Sequence, residues 1–531
     1  MELRLPPAME TKLARAAADR GGDSAVLAKE AIARFLDCDE WFVREVEKGL
    51  QHTCLHHVYA ALISVSLGSA GIGVSIGGLM LNRAGIVCVA ACAAGFALFG
   101  AAGATVGAAG ARLLQTAELP DMSLGAFQST VFRYASDQIV DDHGLRLGSL
   151  GSDIFHDPED SYNEFWAVTD RGPNGNPGKR TFVAPTFNPV ILHVRVHGDR
   201  ITILSALPIL DAAGLPITGL PNVETFDEVP WDFNGTNIIG LNPGGLDTEG
   251  IVRTRDQSFW LVDEYSPSLV HVSREGLIID RFVPEDSRLG SVLANTPNYR
   301  VKKYLPKILN FRRQNRGFEG VSITPDEKTL FIAMQSPLEY PTRALGRASR
   351  IIRILRFDIG SERVTGEFVY EFDQVCAFLG QPATCTVAPD EMKISSLTAI
   401  NATSFLVDER TDTAAKVYRV DVTNATNILG SSWDSVAAAP TATTPALETL
   451  SNPASQGITL LQKTLVVDLS TFGLPNKIEG MALVRPQVLV VANDNDFGLL
   501  DTAAFDADRR LTNDTMVKSK LFYFELFDAQ R

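Results

Sequence analysis

Residues 319–337 read EGVSITPDEKTLFIAMQSP, two alternating apolar runs joined by a Pro-Asp-Glu turn and opened by an acid and a glycine. Short runs of period-two alternation bounded by turn residues read as a β-hairpin. The same pattern returns four times, as GSDIFHDPEDSYNEFWAVTDRG at 151–172, EGIVRTRDQSFWLVDEYS at 249–266, SLTAINATSFLVDERT at 396–411 and EGMALVRPQVLVVANDND at 479–496. Further strand patterns lie between the copies, at 269–283 and 351–358. A hairpin repeated at long intervals with extra strands between marks the blades of a β-propeller, whose radial arrangement leaves only short edges. The expected fold is all-β, a propeller of six or seven blades over residues 120–527, with long insertions at 212–245, 285–315 and 424–460.

Composition agrees with many short strands joined by turns. The 531 residues include 42 glycines, 27 prolines and 28 phenylalanines, with 45% hydrophobic content, enough for one large core and a smaller unit. A formal net charge of −15 argues against nucleic acid as a partner of the main body, because neutralising phosphates needs a basic face. Acidic loops suit metal cations better. Of six cysteines, only Cys376 and Cys385 lie in the body. They flank a short loop that closes as a disulfide if the compartment is oxidising and otherwise stays as two thiols.

The first 120 residues differ in style. Residues 1–50 carry a short apolar and basic strand, then two helical patterns parted at Gly21 and Gly22. They resemble a ribbon-helix-helix module, which reads DNA with its strand; Arg4 is the one basic residue on that strand. Residues 55–111 are a hydrophobic segment, uncharged from Val58 to Leu81 and again from Ala84 to Ala111. Two membrane helices of about 20 residues would fit, anchoring the body through 58–111. The preferred reading is a secretory signal starting at Met80, with Arg83 before an Ala-rich apolar run and small-residue cleavage sites after it. On that reading residues 1–79 are an upstream extension, and the exported protein, periplasmic or extracellular, begins between about Ala104 and Arg112.

Three repeats open on the same step: Glu249-Gly250, Glu319-Gly320 and Glu479-Gly480. Glycine is expected to let the backbone turn tightly as the strand begins, aiming each glutamate toward the propeller axis. Three carboxylates brought to one place repel unless a cation or a shared proton joins them, and calcium, which takes six to eight oxygen ligands, is the natural occupant. The far ends of the hairpins add Asp170-Arg171-Gly172, Asp263-Glu264-Tyr265, Asp408-Glu409-Arg410 and Asn493-Asp494-Asn495-Asp496. A single such cluster reads as a solvated turn, but four at equivalent points of four repeats read as a site. No GxSxG elbow, phosphate-binding P-loop or HExxH zinc helix occurs. The body's histidines, His143, His156, His193, His197 and His271, have no metal-like spacing, and His193 and His197 read as packed or solvated strand residues.

TDRGPNG at 169–175, DTEGI at 247–251, VDEYSPSLVHV at 262–272, NRGFEGVSITPDEKTLFIAMQSPL at 315–338, FLVDERT at 405–411 and NKIEGMALV followed by VVANDNDFG within 476–498 resemble the phytase-like esterase family. The segments run in that family's order and cover nearly all of 120–527. The resemblance implies a propeller that hydrolyses phosphoric or related esters of small molecules. Carried over, it implies catalytic roles for Glu319, Arg171, Arg316, Asp263 and Glu264, and metal ligation by Asp170, Glu249, Glu319, Glu479, Asn493, Asp494 and Asp496. Gln335 stands where the family more often has an acid. The leading expectation is a calcium-assisted hydrolase in which Arg171 and Arg316 grip the phosphoryl oxygens. The alternatives are a non-catalytic propeller that binds a ligand or partner at the same mouth, and a lactonase-like propeller.

Overall fold

The computed structural model describes residues 110–527 apart from 132–140, 176–178, 224–227, 294–298, 437–444 and 501–502. The ribbon-helix-helix reading of 1–50, and the hydrophobic segment 55–111 except its last two residues, lie outside the described residues. Among the described residues no helix is long and apolar enough to cross a membrane.

The described residues open with strand β1 (Ala111–Glu118) and then build the first blade from β2 (Asp153–Phe155) and β3 (Glu164–Val168). Two short strands, β4 (Asn174–Gly175) and β5 (Arg180–Phe182), leave the blade before β6 (Val190–His197) and β7 (Arg200–Pro208) complete it. β8 (Pro230–Trp231) joins β4 and β5 in a small sheet of its own. The second blade is β9 (Thr248–Arg253), β10 (Phe259–Asp263), β11 (Ser268–Val272) and β12 (Ile278–Pro284), with β13 (Arg300–Leu305) added in parallel. The third is β14 (Phe318–Ile323), β15 (Thr329–Met334), β16 (Ile351–Asp358) and β17 (Arg363–Glu371). The fourth is β18 (Lys393–Ala399), β19 (Ser404–Arg410), β20 (Ala415–Asp421) and β21 (Gln462–Asp468). The fifth is β22 (Ile478–Arg485), β23 (Val488–Asn493) and β24 (Lys520–Leu526), finished on its outer edge by β1.

The innermost strands β2, β9, β14, β18 and β22 touch their neighbours in turn, and β22 touches β2, so the ring closes at five blades among the described residues. The five hairpins of the sequence are therefore all the blades, where six or seven were expected. The insertions that left room for more hold β8, β13, one short helix and 3-10 turns instead. The propeller also begins at Ala111 rather than at 120, because β1 follows the apolar segment in sequence and reads there as its tail. Its register with β24, from Ala111 opposite Leu526 to Glu118 opposite Lys520, fastens the two ends of the body together. Cys376 and Cys385 are joined in a disulfide, with Cα atoms 5.9 Å apart.

Each blade is packed between its neighbours, so even a second strand such as β10 (FWLVD) is buried at every residue. Side chains from adjacent blades fill each interface. Val168 and Ile191 of the first blade meet Ile251 and Leu261 of the second, Phe318 and Ile332 of the third meet Ile394 and Phe405 of the fourth, and Ala482 and Val490 of the fifth return to Phe165 and Ala167.

The Glu-Gly steps serve this ring in a way the sequence reading did not foresee. None of Gly250, Gly320 and Gly480 has a positive φ. They are small because the next inner strand lies against them. A Cβ on Gly250 would sit 2.8 Å from the Glu319 carbonyl oxygen and 2.7 Å from a Val262 methyl. On Gly320 it would sit 3.1 Å from the Leu397 amide nitrogen, and on Gly480 3.1 Å from that of Ile154. Overfilling a packed site of this kind costs roughly 1–3 kcal/mol. Gly250→Ala should lower the unfolding free energy by that amount in a denaturant titration. Gly240→Ala, with nothing within 4 Å of the added carbon, should change it by less than about 0.5 kcal/mol.

Candidate functional site

Inner strands β9, β14 and β22 begin, and second strands β3, β10, β15, β19 and β23 end, at the same mouth of the central channel. This follows from the antiparallel registers, which set Thr248 opposite Asp263, Phe318 opposite Met334 and Ile478 opposite Asn493. The three glutamates of the Glu-Gly steps are all buried there, at 9%, 2% and 6% exposure for Glu249, Glu319 and Glu479.

The tightest group is Asp247, Glu249 and Glu264, each of which offers a carboxylate oxygen within 4.8 Å of the others. Glu249 lies on β9 and Glu264 directly follows the adjacent strand β10; Asp247 comes from the loop just before β9. That loop is pinned from below, since the Asp247 N–H donates to Asp263 Oδ1 at 2.9 Å and the Glu264 N–H to the Asp247 carbonyl at 2.9 Å. Burial first, and then Asp247 and Glu319, push Glu249 well above the usual carboxylate range. Burial, then Glu319 and Asp247, do the same to Glu264 against the pull of Arg171 and Arg316. Asp170 is pushed up to about 8 by burial and by Asp247. An all-carboxylate donor set of this kind is the one a hard cation takes.

Glu319 stands beside this group. Its Oε1 accepts from Ser395 Oγ at 3.3 Å and lies 3.8 Å from Arg410 Nη2, while its Oε2 has no hydrogen-bond partner. Burial, with Glu479 next to it, raises Glu319 to about 7. Arg410 also pairs with Glu479 and so ties the third and fifth blades from the fourth. Asp494 is pushed well above its usual range by burial and by Asp496. Asp496 itself takes both oxygens to Lys477 Nζ, at 2.5 and 2.6 Å, on the outer rim.

The arginines divide in role. Arg171 is committed to the wall, pairing with Asp247 and Glu228 at 3.1 Å each and donating to Asn174 Oδ1 at 3.2 Å. Glu228 is held below its usual range because Arg171 and Arg180 outweigh its burial. It thereby braces the small sheet of β4, β5 and β8 onto the mouth. Arg316 donates to Ser336 Oγ at 2.9 Å and has no carboxylate at ion-pair distance among the described residues. Burial and the nearby Arg313 lower it to about 10. Lys393, lowered to about 8 by burial and by Arg410, adds to this basic side.

Two expected site residues sit elsewhere. Asp263 points away from its neighbour Glu264 and forms a fully buried pair with Arg281 at 2.8 Å, also accepting from Ser268 Oγ. Asn493 accepts from the Lys520 amide at 2.9 Å and donates to the Lys518 carbonyl at 3.2 Å, fastening β24. Successive strand residues face opposite sides, so in Asp263-Glu264 and Asn493-Asp494 only the second of each pair reaches the mouth. Sequence reasoning missed Asp247, although it opens the DTEGI segment, and Lys393; it named Arg410 only as the end of the Asp408-Glu409-Arg410 cluster. Deeper in the channel Asp153 accepts from Ser396 Oγ at 2.8 Å and from the Ile251 amide at 3.2 Å, so one carboxyl of the first blade touches the fourth and the second.

Fold and mouth together define a five-bladed propeller with a carboxylate-lined, arginine-rimmed channel end. The chain belongs to the phytase-like family: residues 146–497 match the family described as having the esterase-like activity of phytase. An uncharacterized secreted protein of Arthroderma benhamiae is 28% identical over 302 residues, 48% of this chain, which spans 58% of that relative's length. Among solved structures, regucalcin of Agrobacterium tumefaciens, a calcium-binding protein, aligns at 9% identity over 73% of this chain and 93% of its own, with a TM-score of 0.29. A luciferin-regenerating enzyme aligns at 10% identity over 71% and 92%, with a TM-score of 0.30. Likeness at these scores carries no functional argument.

Asp170 and Glu319 keep protons up to about 8 and about 7, so a cation must displace those protons to bind. In the metal-free protein both acids hold protons that the unfolded chain has shed above pH about 4, so they weaken the fold progressively as pH rises toward 8. A divalent cation that binds against these acids, with calcium as the probe, should therefore bind more tightly at pH 8 than at pH 6 and raise the melting temperature more at pH 8. Calorimetric titration at the two pH values checks this, and equal affinities would place the cation away from these acids.

Proposed function

We propose that the protein is an exported hydrolase of phosphoric or related esters, assisted by calcium held at the mouth by Asp247, Glu249 and Glu264. The observation that carries this reading is the juxtaposition of that carboxylate triad with Arg316, whose charge acts on Glu264 and whose guanidinium pairs with no acid among the described residues. A cation site beside an unspent guanidinium suits a dianionic or monoanionic ester better than a neutral ligand. The residues fit the ion: Asp247, Glu249 and Glu264 are buried hard oxygen donors that crowd within 4.8 Å of one another, and burial and then neighbouring acids push Glu249 and Glu264 above the usual carboxylate range. Bound there, calcium would neutralise phosphoryl charge and make a coordinated water more acidic.

The chain's own groups do the rest. Arg316 binds and orients an ester oxygen by its planar fork. Arg171, through Asp247 and Glu228, holds the wall in register. Glu319, with an affinity for protons matched to neutral pH, accepts the proton of the attacking water at Oε2 and later returns it to the leaving oxygen. Arg410 and Ser395 keep that carboxylate aimed. Export accords with the Cys376–Cys385 disulfide, which persists in oxidising compartments, and with the secreted description of the Arthroderma relative.

Phosphate release from a panel of mono- and diesters tests the reading, with lactones run alongside. Turnover should vanish with chelator and return with calcium. Glu319→Gln should lower kcat by roughly 100-fold or more while keeping calcium binding. Glu249→Gln should weaken calcium binding itself. Absence of ester turnover in protein that binds calcium would favour the ligand-binding propeller, and lactone opening alone would favour the lactonase-like one.

A further inference from the structure

The first blade carries a second cluster of metal-binding side chains at the end away from the mouth. Asp160 lies in the turn between β2 and β3, Glu164 opens β3, and His193 lies on β6; one donor atom of each falls within 4.8 Å of the others. Asp170 lies six residues beyond Glu164 along the same strand direction, so roughly 20 Å separates the cluster from the mouth.

The donor atoms are presented as a metal would need them. Arg195 engages only Glu164 Oε1, with bonds of 3.1 and 2.7 Å, which leaves Oε2 turned to His193. The buried His193 Nε2 faces both acids, 3.1 Å from Glu164 Oε2 and 3.9 Å from Asp160 Oδ2. Donors 2.0–2.2 Å from one tetrahedral zinc lie roughly 3.3–3.6 Å apart, close to these separations. The ring and the acid are also held from outside. Trp166 stacks on the imidazole at 4.2 Å and 4°, and its indole N–H donates to Asp160 Oδ2 at 2.9 Å. Arg253, the other cation nearby, lies over Trp166 and is spent on Asp157 at 2.7 Å.

The second blade supplies an internal control. Trp260 and His271 occupy the corresponding paired positions and stack in the same way, at 4.3 Å and 5°. There the residue two before the tryptophan is Ser258, not a glutamate, and its hydroxyl satisfies His271 Nε2 at 3.0 Å. The Trp–His stack is thus a packing device of the blade, and among the described residues it is in the first blade that two carboxylates and the imidazole bring their donor atoms within 4.8 Å of one another. We infer that Asp160, Glu164 and His193 form a distal site for a zinc-class divalent ion, three protein donors with a fourth position open to water. It pins the turn at 157–162 to β6, and it is independent of the ester-hydrolysis reading of the mouth.

Zinc binding to the purified full chain, with zinc alone as the probe, tests this. Wild-type protein should hold one zinc equivalent more than His193→Gln, whose affinity at this site should fall at least ten-fold. Cobalt in its place should give a visible absorption band that His193→Gln lacks. His271→Gln should bind zinc as wild type does, and Glu249→Gln should keep the distal zinc. Should His193→Gln fail to fold, Glu164→Gln serves in its place. Equal zinc content in wild type and the His193 or Glu164 variant, or an equal loss in His271→Gln, would overturn the assignment and leave a histidine–glutamate ion pair.

Discussion

Everything at the mouth depends on how closely five inner strands can crowd one axis. A side chain at Gly250, Gly320 or Gly480 would collide with the backbone or side chains of the adjoining inner strands, so at these points the ring closes on bare backbone. The residue before each glycine is carried with it. Because the strands touch, the glutamates are delivered side by side, and a wider ring would spread them. One dipeptide thus sets both the radius of the channel and the density of charge at its end.

That density has a cost large enough to dictate chemistry. Two unit charges 4–5 Å apart repel by roughly 3–4 kcal/mol at an effective dielectric near 20. Three such pairs among Asp247, Glu249 and Glu264 would come to about 10 kcal/mol, as much as the whole stability of an ordinary domain. Arg171 takes up part of it by pairing with Asp247 at 3.1 Å, and Glu249 and Glu264 answer the rest by holding protons, the direction in which both are shifted, or by sharing a cation. Arg410 and Lys477 act around the edge, and Arg316 has no carboxylate at ion-pair distance among the described residues.

The hairpins were legible in the sequence because each pairs a short alternating run with a turn, and all five became inner strands. Blade number was not, since long insertions look alike whether they hide strands or loops, and neither was β1, whose pairing partner lies four hundred residues away. At the site, Glu249, Glu264, Glu319, Glu479 and Asp170 were visible as acids beside glycines or at strand ends. Asp263 and Asn493 were over-read because adjacency in sequence hides the alternation of faces. The Asp160, Glu164 and His193 cluster was invisible for the opposite reason: its histidine comes from another strand, so no spacing announces it.

The seam between β1 and β24 also fixes how the body would respond to tension. Ala111 lies opposite Leu526, so the two ends of the propeller leave from the same end of one antiparallel strand pair. Pulling them apart loads the ladder hydrogen bonds one at a time, like a zip, and not all together as in shear. Under such a load the propeller yields at a single stitched edge, and the first bonds to part are those nearest Ala111 and Leu526.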